Sequence, residues 1–181
     1  EGVVPAMTFT EKWFPPQSCD LLADLAQSVA DVRGRIVEVG SWEGRSTVAL
    51  ANAIAPRVVH AVDTWKGSPG EPSAALAAER DVYATWRQNI DDLTAGNVVA
   101  FRMPWREYAE TATTPVALVF IDAEHTYTEV RDTIQAFLPH VQRGGVICGD
   151  DAHHGPVREA VLHCLPSLEV QTRASMWWWR K

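Results

Sequence analysis

The chain has 181 residues, 46% of them hydrophobic, and a formal net charge of -7 at pH 7. That size suits a single domain able to bury a substantial core. The acidic balance argues against nucleic acid as a main partner, and no apolar run reaches the length of a membrane span.

From residue 18 onward, apolar runs alternate with helical patterns. Ser18 is placed to cap a first helix carrying Leu21, Leu22, Leu25 and Val29 on one side. Residues 35–39 read as the first strand, and a helix follows from Gly44 to Ile54. A second strand, Val58 to Val62, ends at Asp63. Residues 66–73 are rich in turn formers and read as a flexible loop. A helix over 75–93, a strand over 97–101 and a short helix over 105–111 come next. Val116 to Ile121 is a continuous apolar run, the pattern of a central parallel strand. A helix spans 127–138, Gly144-Gly145 forms a turn, and a strand covers 145–149. Pro156 suits the first turn of another helix, and the runs 168–172 and 175–179 suit a closing hairpin. No repeat and no low-complexity tract interrupts this order.

Strand–helix alternation predicts an α/β fold: one Rossmann-like, doubly wound sheet, mostly parallel, with an antiparallel C-terminal hairpin strand. Residues 1–33 form an N-terminal segment and helix packing on the sheet, and 34–181 form the domain proper. In such sheets ligands sit at the carboxyl ends of the strands. Gly40, Asp63, Met103, Asp122 and Asp150 all fall at such ends.

The segment from Ile36 to Ser46 is a buried strand, a tight glycine turn and a helix start. Gly40 lets the backbone approach a ligand, and the helix amides face its polar groups. Asp63, one strand over, is suited to accept both hydroxyls of a ribose. The pair describes a nucleoside site. It is not the dinucleotide fingerprint, because Trp42 stands where a glycine is required, which disfavours a nicotinamide enzyme. Glu38, inside the strand, needs a partner, either turn amides or a ligand ammonium. Ser46 can cap locally or bind a ligand carboxylate, and Arg45 is expected to face solvent.

Asp122, Asp150 and Asp151 end two strands expected to be adjacent. Three such carboxylates repel one another unless a cation neutralises them, and a hard divalent ion such as Mg²⁺ does so. The plainer alternative has Asp150 capping a turn and Asp151 solvated. His125, three residues beyond Asp122, has an ordinary pKa suited to a general base. Its plainer alternative is a histidine bonded to backbone at a helix start. His153 and His154 either line a pocket or are exposed, and His60 and His140 carry no signal. Trp177 and Trp179 are expected to pack inward with Trp178 outward, while Trp42, Trp65 and Trp105 lie near the nucleoside site.

Cys19, Cys148 and Cys164 are odd in number and lack metal-type spacing, so a reducing cytoplasm is expected. No signal peptide is visible, and a start at Glu1 leads us to expect a few further native residues before it.

Together these residues resemble a class I S-adenosylmethionine-dependent methyltransferase. Glu38-Val39-Gly40-Ser41-Trp42-Glu43-Gly44-Arg45-Ser46 is similar to that superfamily's first motif as found in metal-dependent small-molecule O-methyltransferases, such as the catechol and caffeoyl-coenzyme A enzymes. Phe120 to Tyr127, with Gly144-Gly145-Val146 and Gly149-Asp150-Asp151, resembles the compact bacterial methyltransferase family 24. The resemblance runs from about residue 34 to the end. It implies that Gly40, Ser41 and Ser46 hold the methionine part, with Trp42 beside the cofactor and Glu38 supporting the turn. Asp63 would bind the ribose, and Thr64 and Trp65 would flank the adenosine. Met103, Pro104 and Trp105 would contact the adenine, and Asp122 would border the cofactor. Asp122, Asp150 and Asp151 would ligate the metal. His125 stands where catechol-type enzymes carry a catalytic lysine, and would serve as the base.

The implied activity is methyl transfer to a small hydroxylated acceptor such as a sugar, phenol or natural product. The alternatives are a metal-independent enzyme using His125 or His154, and a cofactor-binding protein without catalysis. The acceptor pocket must come from the 66–82 loop, the 152–156 loop, the N-terminus or a second subunit. A homodimer could use the apolar segment around Trp13-Phe14 or the tryptophan-rich C-terminus.

Overall fold

The computed structural model describes residues 9–111 and 114–181. Seven strands form one sheet: β1 (Arg35–Val39), β2 (Val59–Asp63), β3 (Val98–Arg102), β4 (Val116–Ile121), β5 (Val141–Gly149), β6 (Gln171–Arg173) and β7 (Met176–Arg180). Their order across the sheet is β3-β2-β1-β4-β5-β7-β6. The first five run parallel, while β7 pairs antiparallel with β5 and with β6. Seven α-helices accompany them among the described residues: α1 (Pro16–Gln27), α2 (Arg45–Ile54), α3 (Pro72–Glu79), α4 (Val82–Leu93), α5 (Trp105–Thr111), α6 (Tyr127–Phe137) and α7 (Gly155–Cys164). This is the doubly wound sheet with a C-terminal antiparallel hairpin that the alternation predicts. None of the helices among the described residues is long and apolar enough to cross a membrane.

The central strands are apolar because both faces are covered. All six residues of β4 are buried. On one face α1 and α2 pack with Leu22, Ile36, Leu50 and Phe120. On the other, α5, α6 and α7 pack with Val119, Ile134, Phe137, Ile147 and Trp177. The chain's winding reverses between β1 and β4, so a crevice opens beyond their carboxyl ends.

Several elements depart from their sequence reading for local physical reasons. Ser18 does not cap α1, which starts two residues earlier at Pro16, where the fixed φ of proline suits a first turn. Its hydroxyl lies 2.8 Å from that of Ser175 instead. The expected 75–93 helix is two helices. Arg80 is extended between them, and Asp81 caps α4 by accepting from the Ala84 amide at 3.0 Å. Gly144-Gly145 is no turn. Strand β5 begins at Val141, and the pair falls within the irregular stretch of its register, with Gly144 at φ 80°. Trp178 is half-buried against the α1–α2 face, because helices cover that side too.

Gly149 and Trp177 sit opposite each other on β5 and β7. A Cβ on Gly149 would lie 2.6 Å from the Trp177 indole, so the missing side chain makes room for the ring. Trp177 is 2% exposed. Trp177→Ala is therefore expected to cost about 3–5 kcal/mol of unfolding free energy. Urea denaturation checks this; a loss under about 1 kcal/mol, the scale of an exposed site, would show that the ring is not part of the core.

Candidate active site

Strand β1 delivers the chain to Gly40, at φ 88°. A Cβ there would stand 1.9 Å from the Asp122 carbonyl oxygen, so only glycine lets the turn lie against the end of β4. Glu38 points beneath this turn with no exposed surface. It accepts from Ser41 Oγ at 2.7 Å and Ser46 Oγ at 2.5 Å, and also from Thr47 Oγ1. Burial pushes its pKa up to about 7; the three hydroxyls pull it down and the charge of Asp122 pushes it further up.

Asp63, from β2, holds the turn from the other side. Oδ2 accepts from the amides of Ser41 at 2.8 Å and Trp42 at 3.0 Å, and Oδ1 accepts from that of Trp65 at 2.7 Å. Trp65 in turn donates its indole N–H to the Trp42 carbonyl at 2.8 Å. Trp42 and Trp65 both have positive φ, 48° and 54°, as does Asp151 at 58°. Left-handed backbone in non-glycine residues costs energy and gathers where surrounding contacts impose it.

A cleft of about 1020 Å³ opens above this edge of the sheet. Gly40, Ser41, Trp42, Ser46, Asp63 and Thr64 line one end, with Met103, Pro104 and Trp105 beside them. Asp122, His125, Asp150, Asp151 and His154 line the other. Glu38 and Trp65 line none of it: they brace the turn from below. The N-terminal segment covers one flank through Phe9, Glu11, Trp13 and Phe14. Its latch is polar. Thr10 bonds both oxygens of Glu43, Glu11 accepts from the Trp42 indole at 2.9 Å, and Arg80 pairs with Glu11 at 2.7 Å and Glu43 at 3.0 Å. Arg45 does not face solvent as expected. It donates to the Phe14 carbonyl at 3.1 Å and its guanidinium lies over the Phe9 ring.

At the acidic end, donor atoms of Asp122, His125 and Asp151 all lie within 4.8 Å of one another. His125 Nε2 is 2.8 Å from Asp151 Oδ2 and 3.6 Å from Asp122 Oδ1. The 2.8 Å approach is that of an ion pair out of line with the N–H, not a linear hydrogen bond. On the far side of the ring, Nδ1 is 3.0 Å from Glu71 Oε1, which also accepts from the His125 amide at 3.1 Å. Interaction with Asp122, then with Asp151, lifts the His125 pKa to about 11. In this arrangement the carboxylates favour the protonated ring. Asp150 turns from the group and accepts from Ser175 Oγ. Burial, then the charge of Asp122, raises its pKa to about 7. Of the three expected metal-binding aspartates, two meet at the cluster, and His125 takes the third position.

Sequence reasoning passed over Glu71, Arg80, Thr47 and Ser175. Only Thr47, beside Ser46 on the helix turn over Glu38, had a local signal. The others meet their partners across more than 20 positions of chain.

The proton on Glu38 makes stability depend on pH. Its folded pKa, about 7, lies above the ordinary 4.5, so the unfolded chain ionises first as pH rises. This contribution is complete below pH 4.5 and is lost as pH climbs through 7, on the order of a few kcal/mol. Glu38→Gln cannot ionise. Its stability relative to wild type should rise between pH 5 and pH 7.5 in urea titrations; a flat difference would mean Glu38 titrates normally.

A family profile described as a methyltransferase domain matches residues 37–152. Among solved structures, the O-methyltransferase NovP superposes with a TM-score of 0.69 at 22% identity, covering 90% of this chain and 78% of that one. TomG from Streptomyces achromogenes, an O-methyltransferase of tomaymycin synthesis solved with S-adenosylmethionine, gives 0.65 at 18%, covering 98% and 83%. The TDP-rhamnose 3'-O-methyltransferase CalS11 of calicheamicin biosynthesis gives 0.64 at 19%, covering 92% and 81%. At these identities the likeness is one of fold. No curated protein sequence matches the chain. The profile spans the turn beneath which Glu38 sits, Asp63 and the acidic cluster, and the chain accordingly belongs to methyltransferase family 24 of the class I S-adenosylmethionine-dependent methyltransferases.

Proposed function

We propose that the protein moves a methyl group from S-adenosylmethionine to a hydroxyl of a small acceptor, assisted by a divalent cation. The observation that carries this reading is one continuous cleft with a nucleoside-type turn at one end and a carboxylate–imidazole cluster at the other. Similarly folded proteins are O-methyltransferases, which supports oxygen as the acceptor atom. The unpaired cysteines support a reducing, cytoplasmic setting.

S-adenosylmethionine supplies the sulfonium methyl. Gly40, Ser41, Trp42 and Ser46 would face its methionine part, and Asp63 and Thr64 its ribose. Asp63 already accepts three amides, which leaves part of its acceptor capacity for a ribose hydroxyl. Met103, Pro104 and Trp105 offer an apolar wall for adenine. Glu38 and Trp65 act indirectly, by fixing the turn. Transfer is an in-line displacement, so holding the acceptor oxygen against the sulfonium methyl, where the turn adjoins the acidic cluster, supplies much of the rate.

Asp122, His125 and Asp151 fit a divalent cation by donor chemistry: two carboxylates and an imidazole that converge. Such an ion, when bound, lowers the pKa of an acceptor hydroxyl. Cation binding would also offset the carboxylate charges that hold the His125 proton. The ring can then serve as third donor or as proton acceptor. A metal-free variant of this chemistry rests on one observation: the His125 imidazolium itself fills the space between Asp122 and Asp151. In that case His154, whose ring lies 6.2 Å from that of His125, is the base.

Calorimetry with S-adenosylhomocysteine, with Mg²⁺ and with a chelator, should show binding in both conditions. Absence of binding in both would remove the methyltransferase reading of the cleft. Mn²⁺ should bind the wild type, and Asp151→Asn should weaken it tenfold or more, as loss of a ligand does. Equal Mn²⁺ affinity in the two proteins would select the metal-free variant.

A further inference from the structure

Which acceptors can enter depends on the charge they would meet. The cleft is lined by nine carboxylates but, among the described residues, by only two guanidiniums and no lysine. Most of the carboxylates at the cofactor end are already answered. Arg80 pairs with Glu11 and Glu43, Arg106 with Glu129 at 2.7 Å, and three amides with Asp63. At the acceptor end the situation differs. Glu71, Asp122 and Asp151 meet one ring, that of His125, and Asp150 turns away to Ser175. Glu124, which also lines the cleft, has no ion-pair partner among the described residues.

Neither guanidinium contacts the acceptor-end carboxylates. Arg106 is held by Glu129 and, at 3.1 Å, by Asp132. Arg45 donates to the Phe14 carbonyl and lies over the Phe9 ring. Lys12 and Lys66 adjoin lining residues but are exposed and line none of the cleft. A divalent cation held by Asp122, His125 and Asp151 would answer those two carboxylates, and Asp150 turns away to Ser175, which leaves Glu71 and Glu124 facing the acceptor without a cation of their own. Phe9, Trp13 and Phe14 line the cleft on the flank of Trp42 and Arg45. Unanswered carboxylates favour protonated amines and repel phosphate and carboxylate groups.

From this imbalance we infer that the acceptor is uncharged or bears a protonated amine, and carries no phosphate or carboxylate group. Acceptors that would place the phosphates of a nucleotide diphosphate or of coenzyme A at this end of the cleft are thereby disfavoured. The inference deepens the methyltransferase reading and rests on it for the identity of the cleft as an acceptor site. It makes Glu71 and Glu124, which that reading leaves without a role, determinants of specificity. Both act through space on the acceptor's charge and neither takes part in methyl transfer.

Two matched triplets test it. The first is 3,4-dihydroxyphenethylamine, 4-ethylcatechol and 3,4-dihydroxyphenylacetate; the second is glucosamine, glucose and glucose 6-phosphate. Each is titrated calorimetrically into the protein with Mg²⁺, with and without S-adenosylhomocysteine, and assayed for S-adenosylhomocysteine formation from S-adenosylmethionine. In at least one triplet the amine or neutral member should bind about tenfold or more tighter than the anionic member, a modest share of the usual like-charge penalty. Glu124→Lys should narrow that gap by strengthening the anionic member. An anionic member that binds as tightly as its partners overturns the inference, and so does failure of all six to bind a protein that binds S-adenosylhomocysteine. Should S-adenosylhomocysteine itself not bind, the methyltransferase reading fails, and the cofactor-free titrations still decide the charge preference.

Discussion

Glu38 is a carboxyl group with no contact with water, and the turn above it is built around that fact. A buried acid needs partners, and three hydroxyls within nine residues of chain provide them. Because hydroxyls rotate, they can answer either the ionised or the protonated carboxyl. The same contacts tie the turn at Ser41 to the first turn of α2 at Ser46 and Thr47. Gly40 then lies against Asp122, and the Trp42 backbone accepts a left-handed conformation. Remove the buried acid's network and nothing else in β1 dictates that path.

Asp63 does for the outside of the turn what Glu38 does beneath it. By accepting the amides of Ser41, Trp42 and Trp65, it links two strand ends into one rigid edge. The tryptophans are part of this support. Trp65 packs with Tyr83 and Trp86 and bonds the Trp42 carbonyl, so an aromatic cluster under the site holds its backbone. The N-terminal segment closes the flank through Glu11, Glu43 and Arg80. Arg80 sits at the break between α3 and α4, which explains why a helical pattern is interrupted there.

At the acidic end, crowding like charges has visible consequences. Burial and the neighbouring Asp122 charge raise the Asp150 pKa, and Ser175 takes up its oxygen. Asp151 shifts the other way, because the His125 ring lies 2.8 Å from it and favours its charged form. Two adjacent aspartates thus differ in proton affinity and direction. Their surroundings decide this: Asp150 is buried under the β6–β7 hairpin, whereas Asp151 faces the cleft.

The sheet was legible from sequence because parallel strands covered on both faces must be uniformly apolar, and Val116 to Ile121 could hardly be anything else. Glycine at position 40 and acids at strand ends were equally legible, since few other residues fit a close turn or end an apolar run in that way. The nature of Glu38 as a buried acid was visible, but its partners were not, because hydroxyl donors carry no periodic signal. The cleft's far wall could not be read at all. Glu71 reaches His125 across 54 positions, and Arg80 reaches Glu11 across 69. The sequence by itself determined which strands exist and which residues end them, through hydrophobic period and backbone sterics. Only the tertiary structure decided which of those ends share charge, because electrostatic neighbours are set by distance in space and not along the chain.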